Sequence, residues 1–360
     1  MPKVLVAGAS GVVGAAALER FLDNGWDAIA LSRRRPDIDS PREFDHLSVD
    51  LRDPEAARAA LSTLSGVSHV VYTALYEKPG LIAGWSDPDQ METNLQMLKN
   101  FLEPLVENND LENVTILQGT KAYGIHLHPM PIPARERAPR DDHANFYWLQ
   151  EDYLKEQAAA HGFRWNVLRP QLIIGSAIGA AMNLAPVIGA YAAICKEHGE
   201  ACGFPGGIPY VWEAVDSRLC AAALEMMATN PEADGQHYNV TNGDVFEWRN
   251  LWPALMEQMG VEAGPDEPQS MAEFLPANAA TWDRIVQERG LKPTRIDDVL
   301  GESHYYADFC FAYGAEDPPP PAFVSAIKLR KAGVTDVYDT EETFRHWMGW
   351  LQDREVLPRY

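Results

Sequence analysis

The turn Gly8-Ala9-Ser10-Gly11-Val12-Val13-Gly14 constrains this chain more than any other stretch of its sequence. Its three glycines stand at every third position. They follow the apolar run Lys3–Ala7 and open a helical pattern over Gly14–Asp23. A strand that turns through glycines into a helix lets its backbone approach a pyrophosphate. The free N–H groups and the dipole of the helix N-terminus then hold the charge. A tight strand–helix turn also selects glycine for steric reasons alone. The position at the very first βα turn is therefore what points to a dinucleotide. Gly8, Ser10, Gly11, Val12, Val13 and Gly14 are the cofactor-binding candidates of this turn.

The rest of the first half repeats the alternation. Asp27–Leu31, His46–Val49, Val67–Tyr72, Asn113–Gln118 and Arg164–Leu168 read as strands. Pro54–Leu64, Asp87–Glu107 and Asn145–His161 read as helices. This pattern predicts an α/β protein with a Rossmann-type, doubly wound parallel sheet covered on both faces. It weakens after Pro170, where His237–Val240 is one more strand and Glu247–Met259 a helix. Pro318–Pro321 reads as a stiff turn or loop. The expected division is a dinucleotide-binding domain over 1–170, with a return to the sheet near 210–245. A smaller, mostly helical substrate lobe would take 171–210 and 246–360.

Lys and Arg number 30 against 52 Asp and Glu, a net charge of −22. Such a surface repels nucleic acid and anionic lipid, so neither is an expected partner. An anionic cofactor then needs a local basic cluster, and Ser32-Arg33-Arg34-Arg35 supplies one at the end of the second strand. NAD sites usually place a carboxylate there for the ribose 2′-hydroxyl. Guanidinium groups suit a 2′-phosphate instead, so NADPH is the expected cofactor, held by Ser32, Arg33 and Arg34. Asp50 and Leu51 end the third strand, where an adenine would lie. Thr73, Ala74 and Leu75 end the fourth, towards ribose and phosphates.

Other readings are negative. Ile173–Cys195 is uncharged over 23 residues, long enough for a membrane span, but Gly175, Gly179, Pro186 and Gly189 interrupt it. It reads as buried loop and helix near a ligand. The N-terminal apolar run is too short for a signal-peptide core. The four cysteines form no C-x-x-C pair, so a cytoplasmic protein with reduced thiols is expected. His126, His128 and His143 lack the cysteine or carboxylate spacing of a metal site, and no metal is expected.

Two segments carry the chemistry: Gln118-Gly119-Thr120-Lys121-Ala122-Tyr123-Gly124 after the fifth strand, and Asn145-Phe146-Tyr147-Trp148-Leu149-Gln150-Glu151-Asp152 at the next helix. In these the chain resembles the progesterone 5β-reductase/iridoid synthase-like branch of the short-chain dehydrogenases/reductases. The likeness continues in Arg169-Pro170, Ile174-Gly175-Ser176, Met182-Asn183, Phe204-Pro205-Gly206 and Trp212-Glu213. It is most specific in Asn239-Val240-Thr241-Asn242-Gly243-Asp244-Val245-Phe246-Glu247-Trp248, and it closes in Leu329–Gly333 and Asp339-Thr340. Ordinary members of the superfamily use Tyr-x-x-x-Lys, but here Glu151 stands four residues after Tyr147. The resembled branch takes its lysine from the loop after the fifth strand, a position that Lys121 matches. It usually has a second tyrosine where this chain has Trp148, and commonly a histidine at Ala122.

The resemblance implies Tyr147 and Lys121 as catalytic residues. It implies Gln118, Tyr147, Pro170, Ile173, Ala180, Ala181 and Met182 as further cofactor contacts. Phe146, Trp148 and Trp212 are candidate walls of an apolar substrate pocket. The implied activity is NADPH-dependent reduction of the activated C=C bond of an α,β-unsaturated carbonyl compound, a small-molecule enone or enal. Tyr147 would hydrogen-bond the carbonyl oxygen, and Lys121 would hold the tyrosine and lower its pKa. Carbonyl reduction, sugar-nucleotide epimerisation and non-catalytic NADP(H) sensing remain alternatives on the same fold. A homodimer is left open.

Overall fold

The computed structural model describes residues 2–292 and 294–360. Strands β1 (Lys3–Ala7), β2 (Asp27–Leu31), β3 (Asp45–Leu47), β4 (His69–Tyr72), β5 (Asn113–Leu117) and β6 (Arg164–Pro170) join a seventh strand, Gln236–Val240, in one sheet. The order is seventh–β6–β5–β4–β1–β2–β3, and every pairing is parallel. Neighbouring side chains along a strand go to opposite faces. Val4 and Val6 pack under helices α1 (Val12–Asp23) and α6 (Ser217–Thr229). Leu5 and Ala7 pack under α2 (Pro54–Leu61), α3 (Pro88–Asn108) and α4 (Phe146–His161). Both faces are apolar because both are covered, the condition under which a parallel sheet is stable.

Strand order reverses between β1 and β4, and Ala7 lies opposite both Leu31 and Tyr72. Three carboxyl ends therefore open at one level beside the first turn, where a doubly wound sheet leaves its ligand crevice.

Most predicted elements exist, with shifted ends. Helix α1 begins at Val12 rather than Gly14 because Gly11 serves as its N-cap. Helix α3 begins after Asp87, whose carboxylate accepts from the Asp89 N–H with Pro88 at the first position. Helix α2 stops at Leu61, short of Leu64. The edge strand β3 spans Asp45–Leu47, not His46–Val49. Strand β6 runs on to Pro170.

The uncharged stretch divides into a short strand, Leu172–Ile174, a loop, and helix α5 (Leu184–His198). Helix α5 enters a second core with Phe204, Trp248, Trp252, Phe311 and Phe344. The buried indoles there keep partners: Trp248 Nε1 donates to the Cys310 carbonyl at 2.8 Å, and Trp252 Nε1 to that of Cys202 at 3.0 Å. The Asn239–Trp248 string ties the sheet to this core. Asp244 accepts from the Thr340 N–H (2.9 Å) and hydroxyl (2.6 Å) at the start of the helix Thr340–Asp353. Among the described residues, no helix is long and apolar enough to cross a membrane.

Candidate active site

A cavity of about 790 Å³ opens at the carboxyl ends of the strands. At one end lies the glycine turn. Gly8 has φ 78°, and a Cβ there would stand 2.7 Å from the Ala74 nitrogen and the Thr73 hydroxyl. Gly11 caps α1 without any side-chain hydrogen bond, so the first helical N–H groups face the cavity unclaimed by a cap. This bare cradle, open only because no Cβ fills it, fits a pyrophosphate. Gly14 does not line the cavity. A Cβ at Gly14 would lie 2.2 Å from the Gly8 carbonyl oxygen, so this glycine lets helix and strand meet.

Every other candidate cofactor residue lines the cavity. Ser32, Arg33 and Arg34 sit at the end of β2. Arg33 and Arg34 are exposed, and the Arg34 guanidinium donates to the Ile178 carbonyl at 3.0 Å across the opening. The Ser32 hydroxyl donates to the Arg34 carbonyl at 2.6 Å and so shapes the arginine turn. Asp50 is engaged by Arg52 at 2.6 Å, and the hydrogen bonds from that guanidinium hold its carboxyl below the usual range. Leu51, Thr73, Ala74 and Leu75 form the next wall. Gln118, Pro170, Ile173, Ala180, Ala181 and Met182 line the cavity beyond it.

At the other end the lining turns aromatic. The Asn145 side-chain Oδ1 caps α4 by accepting from the Tyr147 N–H at 3.0 Å, which places Tyr147 in the first helical turn. Its hydroxyl lies 3.1 Å from where a Cβ on Gly119 would stand, so that glycine leaves room for the ring. Lys121 comes from the short helical turn Thr120–Tyr123 after β5, and its ammonium lies 3.9 Å over the Trp85 ring. Among the described residues, neither the Tyr147 hydroxyl nor the Lys121 ammonium has a hydrogen-bond partner. Both side chains open into the cavity and are otherwise enclosed by protein.

Two expectations need correction. Lys121 is not hydrogen-bonded to Tyr147. Nor is the tyrosine made acidic: burial pushes its hydroxyl well above the ordinary value, the Glu77 carboxylate adds to this, and Arg169 opposes it. Tyr147 is a neutral hydrogen-bond donor. Burial instead acts on the lysine, pulling its ammonium down to about 8, against the opposing charge of Glu77. Trp148 is the second correction. One residue beyond Tyr147 on a helix points about 100° away. Trp148 is buried against His143 (5.8 Å between rings) and under the Arg140 guanidinium (4.7 Å), outside the cavity. Phe146 and Trp212 do line it.

Glu151 occupies the place of the ordinary lysine and draws basic side chains around it instead. Lys155 lies 2.6 Å away, His237 3.2 Å and Arg140 3.4 Å, and Gln118 donates to it at 2.8 Å. Burial raises its pKa, but these partners outweigh burial and hold the carboxyl far below the usual range. Gln118 in turn accepts from Arg169 Nε at 2.8 Å. The network fixes α4 against β5 and β6 beneath Tyr147.

Sequence reasoning missed Glu77, Trp85, Tyr210, Tyr306 and Phe309 and weighed His126 only as a metal ligand; all six line the cavity. Trp85 meets Phe309 edge-on at 5.3 Å, and Phe309 lies 6.1 Å from Trp212. Burial pushes His126 down to about 4, so it is neutral. Among the described residues, no group of His, Cys, Asp or Glu is placed to hold a metal.

Known proteins resemble this chain in sequence and in fold. Residues 4–241 match the NAD dependent epimerase/dehydratase family. An (S)-8-oxocitronellyl enol synthase of Nepeta cataria is 32% identical, over 98% of this chain and 91% of that protein. A 3-oxo-Delta(4,5)-steroid 5-beta-reductase of Arabidopsis thaliana is 30% identical, over 98% and 92%. The fold is shared with UDP-glucose 4-epimerase of Thermotoga maritima in complex with UDP-glucose, at TM-score 0.68 and 16% identity, covering 98% of this chain and 99% of that one. It is shared too with the Thermus thermophilus UDP-glucose 4-epimerase–NAD complex, at TM-score 0.65 and 19% identity, covering 98% of both chains.

Proposed function

The chain belongs to the NAD dependent epimerase/dehydratase family, in the branch of the 8-oxocitronellyl enol synthases and steroid 5β-reductases, and from that premise we propose that it is an NADPH-dependent reductase of enone C=C bonds. The observation that carries this reading is that Tyr147 and Lys121 both line the cavity that the glycine turn also lines. Arg33 and Arg34, with no carboxylate between them, favour a 2′-phosphate and hence NADPH.

A bound nicotinamide dinucleotide supplies the hydride. Reduction at the β-carbon of an enone moves negative charge onto the carbonyl oxygen. Tyr147, kept protonated by burial, donates its hydroxyl hydrogen to that oxygen and strengthens the bond as the enolate forms. Lys121 adds a positive charge from a half-buried position, where it is screened less than on the open surface. The enolate then takes a proton from solvent at carbon. Glu151 in place of the ordinary lysine leaves Lys121 as the cation of this site, which separates the chain from Tyr-x-x-x-Lys epimerases of the same fold. Small-molecule enones or enals are the proposed substrates, and 1–170 with the seventh strand is the proposed cofactor-binding unit.

The test is NADPH consumption with 2-cyclohexen-1-one, progesterone and a conjugated dialdehyde, followed by product analysis. Saturated carbonyl products are expected. Allylic alcohols would make the protein a carbonyl reductase. Silence across the panel despite tight NADPH binding would leave a narrow substrate outside the panel or a sensor.

A further inference from the structure

One wall of the aromatic chamber is a thin strap. Pro319, Pro320 and Ala322 face the cavity, while Pro318, Pro320 and Pro321 also reach solvent. Prolines have no N–H to donate, and among the described residues no backbone hydrogen bond holds Glu316–Pro321. Beyond its C-terminal end the strap is fastened by backbone bonds. There Ala134 donates to the Phe323 carbonyl at 2.8 Å, and Ser325 donates to the Ala134 carbonyl at 2.9 Å. Gln171, itself a cavity residue, donates to the Ala322 carbonyl.

A further fastening is a buried carboxyl group. Glu213 follows Trp212 directly and is 4% exposed. Its Oε1 accepts from the Val324 N–H at 2.6 Å and from Gln171 Nε2 at 3.3 Å. A buried carboxyl group is costly unless it is well bonded, and these two bonds are what hold it in place. Both bonds converge on the joint between the strap and the chamber.

We propose that Glu213 is a positioning residue that fixes the Pro318–Pro321 strap as the far wall of the substrate chamber and thereby sets the size of enone accepted. Polyproline chain is stiff, so a fixed joint at Val324 sets the position of Pro319 and Pro320 several residues away. Val324 and Tyr123 belong to one small apolar cluster, with Ala322 and Ile125 packed against it, so the same joint borders the segment that carries Lys121. Trp212, one residue before Glu213, also lines the chamber.

The inference rests on the enone reading, and its test separates the two. Native protein, Glu213→Ala, Glu213→Gln and Pro319→Gly are compared by kcat/KM for 2-cyclohexen-1-one and for progesterone, with amide exchange at Phe323 and Val324. Glu213→Ala should change the ratio of the two specificity constants by roughly 10-fold or more, the scale of altered pocket contacts. It should also speed exchange at Val324. Glu213→Gln retains an acceptor and should restore the ratio. Pro319→Gly, on the half-buried strap, keeps the test open should Glu213→Ala fold poorly, and should shift the ratio as well. A native enzyme that turns over enones, with the ratio unmoved in Glu213→Ala and Pro319→Gly, overturns the Glu213 assignment alone. A native enzyme inert to every enone overturns the enone reading and the size claim with it.

Discussion

The Lys121 ammonium lies 3.9 Å over the ring of Trp85 and is enclosed by the same cavity wall as Tyr147. The ring face offers a cation partial compensation for lost water without donating or accepting a proton. Lys121 therefore stays unbonded and ready for charge on a substrate. Burial makes the charged form easier to lose, which places its titration at about 8, and the Glu77 carboxylate resists the loss. His126, the other titratable group beside it, is neutral throughout this range.

The rate should therefore fall as pH rises through about 8, because the ammonium is the form that steadies a growing enolate. Glu77→Gln removes the charge that supports the ammonium, so the falling limb should move to lower pH. Lys121→Met should abolish the limb and lower kcat at neutral pH. A kcat profile of the native enzyme that stays level to about pH 10 would remove Lys121 from the mechanism.

Tyr147→Phe removes a donor aimed at developing charge and nothing else of comparable size. The expected loss in kcat is about 10²–10³. NADPH affinity, read by fluorescence titration, should change only a few-fold, since the glycine turn and arginines lie at the other end of the cavity. Unchanged kcat in this variant would transfer the role to another group.

Gly14→Ala tests the turn as packing. The new Cβ would sit 2.2 Å from the Gly8 carbonyl oxygen, which is backbone and cannot rotate away. Urea unfolding should show a loss of about 1–3 kcal/mol, the cost of overpacking. Gly349→Ala is the control. It sits in the helix Thr340–Asp353, and its Cβ would meet the Gln258 amide only at 3.5 Å. That variant should be neutral or gain about 0.5–1 kcal/mol of helix stability.

What could be read from sequence was what depends on local order. Gly8–Gly14 and Arg33–Arg34 declare themselves because strand, turn and helix follow one another directly. Tyr147 and Lys121 were legible through short motifs. Trp148 was misplaced because a motif says nothing about helical phase, and one step along α4 turns a side chain out of the cavity. Trp85 and Phe309 were illegible for another reason. They meet edge-on at 5.3 Å from segments far apart in the chain, and nothing local in either segment announces that contact. Glu213 had only its place beside Trp212 to signal it.

The arginine cluster predicts the cofactor preference. Arg33→Ala and Arg34→Ala should each raise KM for NADPH by roughly 10- to 100-fold, as expected for loss of a charge-assisted bond to phosphate. KM for NADH should stay nearly level, because that cofactor has no 2′-phosphate to lose. Arg34 also bonds the Ile178 carbonyl across the opening, so its variant should show faster amide exchange around Gly179 as well. Equal effects on both cofactors would mean that the arginines serve structure rather than the 2′-phosphate.

Glu213 gives a prediction about stability as well as specificity. Burial pushes its carboxyl from 4.5 up to about 7, despite the bonds from Val324 and Gln171. The folded protein therefore keeps a proton that the unfolded chain releases at lower pH. That makes the contribution of Glu213 to stability decline as pH rises from about 4.5 to about 7, and then level off. A displacement of this size corresponds to about 3 kcal/mol. Glu213→Gln cannot lose a proton, so its unfolding free energy relative to the native protein should improve by up to that amount between pH 5 and pH 8. Denaturant unfolding of both proteins at the two pH values measures the difference directly. A constant gap would show that Glu213 is ionised throughout the range, with the Val324 and Gln171 bonds fully offsetting its burial.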